Sequence, residues 1–282
     1  MEFSKVIELF LVDGDPNKRW ICELSNWTGK AFKIPRNMIQ ESRNRPELFS
    51  PGIYFLFGYD DENNRQLIYI GEAEKIIERL EQHLAKKDNW IETIAIVSKD
   101  SNLNKAHIKY LEFMFYSLAK ESGRYSIDNK KAPTKSTISE ADEAKLEEFI
   151  YNTKILVNAL GHKVFEPITN PQNNNTEEQT IFSLSTDNGK AYMIITSDGF
   201  VLQKGSSIHI NSASSLSIGI KKKIEQCRIN KEIIDNILQK DKLFSSASSA
   251  AAFAVGYSVN GREAWRSNSG ITLNEYESNK KS

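Results

Sequence analysis

Short apolar runs with β-forming residues dominate the beginning of the chain. Three of them, KVIELFLV, RWICELS and KAFKIP, occupy residues 5–12, 19–25 and 30–35. They are separated by Asp-Gly-Asp-Pro and Asn-Trp-Thr-Gly, whose residues favour turns, so the pattern predicts a small β-meander. The mixed stretch that follows, residues 34–48, predicts a short helix carrying Arg36, Arg43 and Arg45.

The middle of the chain alternates between strand and helix periods. GIYFLFG and QLIYIG, residues 52–58 and 66–71, flank the polar loop YDDENNR, which is typical of a β-hairpin. Apolar residues then recur every three to four positions, which predicts helices. The expected order after the hairpin is a helix at 73–86, a strand at 90–98, and helices at 103–120 and 139–160.

The polar segment PITNPQNNNTEEQT, residues 167–180, has few apolar positions and predicts a linker. Beyond it the pattern predicts a hairpin turned at Ser-Asp-Gly, a helix around 220–239, an Ala/Ser-rich helix, and β-like residues from AWRS to ITL. We therefore predict an α+β protein. Its parts are an N-terminal β extension (1–50), a central domain with a trailing helix (51–166), the linker (167–180) and a second small α+β domain (181–282).

The amino-acid composition and net charge exclude only a few classes of protein. The chain has 282 residues, of which 39% are hydrophobic, and its 37 basic residues equal its 37 acidic ones. Any contact with a polyanion must therefore come from a local patch. The two cysteines, Cys22 and Cys227, are far apart and lie in no Cys/His cluster, which argues against a zinc site or a disulfide framework. We expect a cytoplasmic protein without a secretion signal or membrane anchor.

Several polar residues occur where metal-assisted phosphodiester hydrolysis would need them. Glu112 lies in an apolar stretch, where a carboxylate needs a partner or a metal. Arg79 and His83 are four residues apart on a predicted helix, so both can point at one phosphate. Tyr54 and Tyr69 lie on paired strands and can project on the same sheet face.

These residues, in this order, resemble the GIY-YIG nuclease family: Gly52-Ile53-Tyr54, then Tyr69-Ile70-Gly71, then Arg79 and His83, Glu112 on the next helix, and Asn129. The resemblance covers about residues 50–132. The loop between the two triplets is a few residues longer than the usual turn of the family. The implied fold is a small α/β domain with a three-stranded antiparallel sheet flanked by helices.

The resemblance also implies roles. Tyr54 would position or deprotonate the attacking water, Tyr69 would hydrogen-bond in the same site, and Arg79 would stabilise the transition-state phosphate. His83 would assist proton movement or grip phosphate. Glu112 would hold one Mg²⁺ or Mn²⁺ ion, and Asn129 would brace the site. Which tyrosine transfers the proton stays open, because a phenol is a poor base at its usual pKa of about 10.

The whole chain resembles a GIY-YIG nuclease fused to a C-terminal domain of unknown function, through DGFVLQKGSS, LFSSASSAAAFAVGYSVNGREAW and ITL. Three consecutive lysines in that region are candidates for phosphate contact, although such a run is usually a solvated helix start. They are Lys221, Lys222 and Lys223.

The expected function is a metal-dependent DNA endonuclease with one active site per chain, acting in restriction, defence, DNA repair or other DNA processing. A double-strand break would then require a homodimer or successive nicks. Two alternatives stay open: a non-catalytic nucleic-acid-binding or adaptor protein on the same scaffold, and a nuclease specific for RNA or single strands. Taken singly, the tyrosines also fit sheet packing, and the helix charges fit a solvated face.

Overall fold

The structure, a computed structural model, describes residues 4–60, 65–100, 102–168, 180–209 and 213–279. The chain divides into two compact units, an N-terminal unit of residues 1–167 and a C-terminal unit of residues 168–282. Most of the predicted linker, residues 169–179, lies outside the described residues, as does the tip of the predicted hairpin, residues 61–64. Both units contain helices and strands, so the fold class is α+β.

The N-terminal unit is built on one mixed sheet of seven strands. In chain order its elements are β1 (Ile7–Leu11), β2 (Trp20–Leu24), β3 (Gly29–Pro35), β4 (Gly52–Asp60), β5 (Arg65–Ala73), α1 (Ile76–Lys86), β6 (Glu92–Ser98), α2 (Lys105–Ser122), β7 (Ser126–Ile127) and α3 (Glu140–Ala159). The strand order across the sheet is β1-β2-β3-β6-β4-β5-β7. Among the strand pairs of the described residues in this unit, β5–β7 alone is parallel.

The sheet is wider than the three strands that the resemblance implied. The three expected strands do pair, in the order β6-β4-β5, but β3 pairs with β6 along its whole length, from Gly29 opposite Ser98 to Pro35 opposite Glu92. The N-terminal meander therefore continues the same sheet. Pairing of β3 with β6 satisfies the backbone groups along that side of β6, which would otherwise form an open edge.

The predicted helix at residues 34–48 is wrong. Three short 3-10 turns occupy this stretch, at Arg36–Met38, Gln40–Asn44 and Pro46–Phe49. Arg45 is extended, with φ −99° and ψ 106°. The residue before a proline is pushed out of the α region, so Pro46 prevents a continuous helix.

Helices cover both faces of the sheet, and each face has its own core. On one face, Phe55 and Ile70 pack with Leu111 and Phe115 of α2 and with residues of α3. On the other face, Tyr54 and Leu56 pack with residues of α1 and with the 3-10 turns. This burial of one stripe of each helix against the sheet fixes the direction in which the polar residues of α1 and α2 point.

The C-terminal unit has a five-stranded sheet in the order β13-β10-β9-β8-β14. Its elements are β8 (Phe182–Thr186), β9 (Gly189–Thr196), β10 (Gly199–Leu202), α4 (Ile218–Ile229), β11 (Ile233–Ile234), β12 (Ile237–Leu238), β13 (Lys242–Phe244), α5 (Ala247–Val255), α6 (Gly261–Ala264), β14 (Arg266–Ser267) and α7 (Leu273–Asn279). The Ala/Ser helix α5 is almost wholly buried in this core, and its small residues allow close approach of the sheet.

One prediction for the C-terminal unit is wrong in detail. The helix expected at 220–239 ends at Ile229, and β11 and β12 form a separate hairpin turned at Asp235 and Asn236, which have φ of +49° and +64°. Asp and Asn tolerate this left-handed conformation, which a type I′ hairpin turn requires. The predicted β-like end, AWRS to ITL, is confirmed: Arg266 of β14 forms an antiparallel bridge with Thr272, Ser267 N–H donates to Ile271 O over 2.9 Å, and α7 follows. Among the described residues, no helix combines the length and apolarity needed to cross a membrane.

Candidate active site

The register of the β4–β5 hairpin places the two motif tyrosines on one face of the sheet. Tyr54 lies opposite Gly71, and Leu56 lies opposite Tyr69. Because directly paired residues share a face and successive residues alternate, Tyr54 and Tyr69 are diagonal neighbours on the α1 side. Their ring centroids are 6.2 Å apart.

The glycine of the second triplet makes room for the tyrosine of the first. A Cβ atom on Gly71 would lie 2.3 Å from the Tyr54 Oη atom and 2.4 Å from its Cζ atom. The Tyr54 ring therefore lies directly over Gly71, and the phenol can reach past the strand only because no side chain is there. The Gly-Ile-Tyr and Tyr-Ile-Gly triplets therefore pack directly against each other, with the tyrosine of the first over the glycine of the second.

Helix α1 brings two further polar side chains to the tyrosines. Its apolar residues Ile76, Ile77 and Leu80 are buried against the sheet. His83 is also buried, and its Nε2 atom lies 2.8 Å from Tyr54 Oη, within hydrogen-bonding distance. The His83 ring centroid is 5.5 Å from that of Tyr54 and 5.1 Å from that of Tyr69.

Both members of the Tyr54–His83 hydrogen bond are uncharged at neutral pH. Burial raises the pKa of the Tyr54 phenol, with a further contribution from Tyr69, and Arg79 opposes this only in part. Burial also lowers the pKa of His83 to about 4, helped by the positive charges of Arg79 and Lys87. The tautomer of the imidazole decides which of the two atoms donates.

Arg79 lies one helical turn before His83 and faces the same pair of phenols. Its pKa is raised, chiefly by hydrogen bonding to Tyr54 and with contributions from Tyr69, while its burial acts in the opposite direction. One guanidinium nitrogen, Nη1, donates to Gln82 Oε1 over 3.0 Å. The site therefore has a fixed positive charge beside two phenolic oxygens.

A lysine and an aspartate that the sequence reading missed hold the other side of Tyr69. The Nζ atom of Lys87 lies 4.2 Å from the centroid of the Tyr69 ring and forms an ion pair with Asp128. Residues 79, 83 and 87 are spaced by four, so the helical period alone could have placed Lys87 on this face. Asp128 carries no comparable sequence signal.

Asn129 braces the second motif strand through its side chain. Its Nδ2 atom donates to Ile70 O over 2.7 Å, and Ile70 N–H donates to its Oδ1 atom over 3.0 Å. The amide takes the place of the next residue of β7, which pairs only with Leu67 and Ile68. These bonds satisfy the backbone between Tyr69 and Gly71 and hold both triplet residues in place.

Glu112 lies on α2, which packs against the face of the sheet opposite to the tyrosines, and its link to the site is electrostatic, through the positive charge of Arg79. It lies half-buried on α2, and burial raises its pKa to about 7, with a contribution from the negative charge of Glu72 and an opposing one from Lys105 and Arg79. Glu72, directly after Gly71, is itself paired with Lys105, whose Nζ atom lies 3.0 Å from Glu72 Oε2. The sequence reading missed Glu72, because strand alternation puts it on the other face from Tyr69 and Gly71.

The carboxylates fit one of the ways in which proteins bind Mg²⁺. Within the described ranges there is no cluster of three or more His, Cys, Asp or Glu side chains that could hold a metal ion. Mg²⁺ usually binds through one or two carboxylates, retained waters and substrate phosphate. Glu112, with Glu72 in electrostatic range and its own charge destabilised by burial, matches that donor set.

The three lysines of α4 are in the C-terminal unit. Lys222 is exposed and Lys221 is half-buried. Lys223 packs within the domain: its Nζ atom donates to Leu243 O over 3.1 Å and lies 4.0 Å from the Phe244 ring centroid. His107 belongs to the capping box at the start of α2: its backbone N–H donates over 3.0 Å to the side chain of the N-cap residue Asn104, whose backbone N–H lies 3.5 Å from His107 Nδ1.

Comparison with known proteins concerns the C-terminal unit. Residues 182–277 match the family described as "Domain of unknown function (DUF4357)". This agrees with the expected C-terminal domain of unknown function, and it names no activity. No curated protein and no solved structure matches the chain. The nuclease resemblance of residues 50–132 stays a prediction.

Proposed function

We propose that the N-terminal unit is a GIY-YIG-type endonuclease that hydrolyses phosphodiester bonds in DNA with the help of one divalent cation. One observation carries the proposal. The Tyr54 hydroxyl, within 2.8 Å of His83 Nε2, shares one small site with Tyr69 and the Arg79 guanidinium. Packing residues have no physical reason to gather two phenols, an imidazole and a guanidinium around a motif glycine.

The arrangement provides a route for a proton. The attacking water gives its proton to Tyr54 Oη while the Tyr54 hydroxyl proton passes to His83 Nε2, so the phenol stays neutral throughout. As the bond from phosphorus to the leaving oxygen breaks, that oxygen takes up a proton from water. The low pKa of His83, about 4, means that the imidazolium then readily returns its proton to solvent. A relay of this kind avoids a free phenolate, which burial of Tyr54 disfavours.

The positive charges act on the phosphate. Arg79 faces the phenolic oxygens and is placed to stabilise the negative charge that develops on the phosphate oxygens. Glu112, together with Glu72, would hold Mg²⁺ or Mn²⁺. When bound, the ion would neutralise charge on the attacked phosphate and on the leaving oxygen.

The test is nicking of supercoiled plasmid with Mg²⁺ by the full chain. We expect Arg79→Ala to lower turnover by about 100- to 1000-fold with a much smaller change in KM, since a transition-state cation acts on turnover. Glu112→Gln should abolish Mg²⁺-dependent nicking. The matched controls are Arg262→Ala, an exposed arginine paired with Glu277, and Glu143→Gln, a surface glutamate.

Three outcomes distinguish the alternatives. Cleavage of RNA or single-stranded DNA but not duplex, in the same assay, reassigns the substrate and keeps the chemistry. Tight binding of DNA without cleavage of any polymer, with Mg²⁺ or Mn²⁺, supports the non-catalytic alternative. Equal activity of the wild type and of both site variants contradicts the proposed site.

A further inference from the structure

A groove lies beside the 3-10 turns of the N-terminal unit. Its volume is about 480 Å³, which is in the range of pockets that bind small molecules. The residues that line it come from the 3-10 turns, from α1 and from the segment before β6, and they are Arg36, Asn37, Gln40, Leu84, Trp90 and Ile91. The groove therefore combines apolar side chains with one cation and two primary amides.

Arg36 provides a flat, positively charged surface in this groove. Its guanidinium lies over the Trp90 ring, with the Cζ atom 4.9 Å from the ring centroid. Its nitrogens donate to Trp90 O over 3.4 Å, and to Leu84 O and Asp88 Oδ1 over 3.3 Å each, which fixes the plane. Because these donors already have partners, Arg36 offers a ligand its planar face. Unstacked nucleobases pack on guanidinium planes of this kind, and the side chain of Ile91, 55% exposed, adds apolar surface.

Asn37 and Gln40 provide the hydrogen-bonding groups of the groove. Both residues are exposed, and within the described part of the chain neither side-chain amide has a hydrogen-bond partner. A primary amide carries both a donor and an acceptor, and the amide of Asn or Gln pairs in this way with N6 and N7 of adenine. The side chains of the groove therefore match a planar purine with a donor and an acceptor on one edge.

Trp90 relates the groove to the candidate active site. It packs in the same core as Tyr54, so the groove belongs to the side of the sheet that carries the motif tyrosines. Trp90 also lines a small cavity of about 10 Å³ together with Tyr69, Lys87 and Asp128. One indole thus borders both the groove and the surroundings of Tyr69, and a strand held at the tyrosines can place a nearby base in the groove.

We propose that the groove binds an unpaired adenine base of a nucleic-acid strand. The base packs on Arg36 and Ile91, and its N6 and N7 atoms pair with the amide of Asn37 or Gln40. The inference rests on the proposed function, since it takes the N-terminal unit to bind nucleic acid, and it adds a base preference near the cut. A duplex presents such a base only after local opening, so a single strand is the favoured form.

The test measures base preference without cleavage. Fluorescence anisotropy in EDTA follows binding of the full chain to labelled single-stranded DNA oligonucleotides of equal length. One contains only thymidine, one has a single central adenosine among thymidines, and one has an abasic site at that central position. We expect the wild type to bind the adenosine strand about tenfold more tightly than either of the others, as one amide–adenine pair typically provides.

The variants remove the groove chemistry without touching the core. Asn37→Ala combined with Gln40→Ala should bind all the strands alike, and Ile91→Glu should weaken binding of the adenosine strand most, because it adds a negative charge to the groove. The matched controls are Gln66→Ala, an exposed glutamine of β5, and Ile7→Glu, an isoleucine of β1 that is 38% exposed. Both controls should keep the preference. Circular dichroism checks that each variant is folded.

Equal binding of all the strands by the wild type overturns the proposal, and so does a preference for adenosine that the groove variants retain. Adenosine monophosphate serves as a competitor. If it binds as tightly as the adenosine strand, with the same loss in the double alanine variant, the groove takes a free nucleotide and the strand proposal is overturned.

Failure of the proposed function is a separate result. A chain that prefers adenosine but never nicks plasmid with Mg²⁺ keeps the base-binding groove and loses the nuclease. A chain that nicks plasmid but binds all the strands alike keeps the nuclease and loses the groove.

Discussion

Replacing Glu112 by glutamine should stabilise the protein above pH 7 while it removes the proposed activity. Burial, together with Glu72, raises the pKa of Glu112 from its ordinary 4.5 to about 7. A raised pKa means that the folded state favours the protonated acid. The protonated Glu112 therefore stabilises the folded state relative to a Glu112 that is charged. This contribution to the free energy of unfolding is fully present below about pH 4.5 and is lost as the pH rises through 7.

The magnitude follows from the two pKa values. A difference of one pKa unit corresponds to about 1.4 kcal/mol, so the charged carboxylate costs the folded state at most about 3 kcal/mol at pH 8. Partial exposure of Glu112 to solvent reduces this, and we expect a gain of about 1 to 3 kcal/mol for Glu112→Gln. Glutamine keeps the shape of the side chain and carries no charge.

The assay is urea unfolding at pH 8 and pH 4.5, followed by tryptophan fluorescence, which reports mainly on the N-terminal unit because Trp20, Trp27 and Trp90 lie there. The gain in the free energy of unfolding should appear at pH 8 and shrink toward zero at pH 4.5. Adding Mg²⁺ should stabilise the wild type and leave the glutamine variant unchanged.

Glu143→Gln is the control with the opposite sign. The hydrogen bond from Tyr110 and the charge of Lys135 lower the pKa of Glu143, so the folded state favours the charged form of this carboxylate. Removing the charge in Glu143→Gln should therefore lower the free energy of unfolding at pH 8. If Glu112→Gln is no more stable than the wild type at pH 8, or if its effect is the same at both pH values, the reasoning about the buried carboxylate is refuted.

Three further results are expected. Gly71→Ala should lower the free energy of unfolding by about 1–3 kcal/mol and reduce nicking, because the new Cβ would lie 2.3 Å from the Tyr54 hydroxyl. The control Gly219→Ala, where a Cβ would have no atom within 4 Å, should be tolerated. Equal effects of the two variants on unfolding would contradict the close packing of Tyr54 over Gly71. Asn129→Ala should cost about 1–3 kcal/mol in urea unfolding, because two backbone groups of the second motif strand lose their partners, and a neutral result would show that water replaces them. The imidazole protons of His83 should titrate with a midpoint near pH 4 by NMR; a midpoint above 6 would contradict its burial beside the positive charges.

The local sequence pattern was sufficient to predict the positions of several residues of the candidate site. The strand runs around the two triplets predicted a hairpin, and the register places Tyr54 and Tyr69 on one face. The spacing of Arg79 and His83 predicted a shared helical face, and both lie beside the tyrosines. These relations depend on periods of two and of 3.6 residues, which neighbouring residues set.

Relations between distant segments came only from the tertiary structure. The negative charge of Glu72, on a strand, contributes to the raised pKa of Glu112, on a helix, and the side chain of Asn129 binds the backbone of Ile70. The pairing of β3 with β6 that merges the meander with the motif sheet joins segments some sixty residues apart. The periodicity of apolar residues within one segment does not predict which two strands pair with each other.

The sequence by itself thus determined the α+β class, the motif hairpin and the helical face that carries Arg79 and His83. The tertiary structure decided the width of the sheet, the hydrogen bonds of Asn129 to the second triplet and the effect of the Glu72 charge on Glu112. The physical reason is that side-chain direction follows local backbone geometry. Which surfaces meet is set by burial summed over the whole chain, and that sum cannot be read from any one segment.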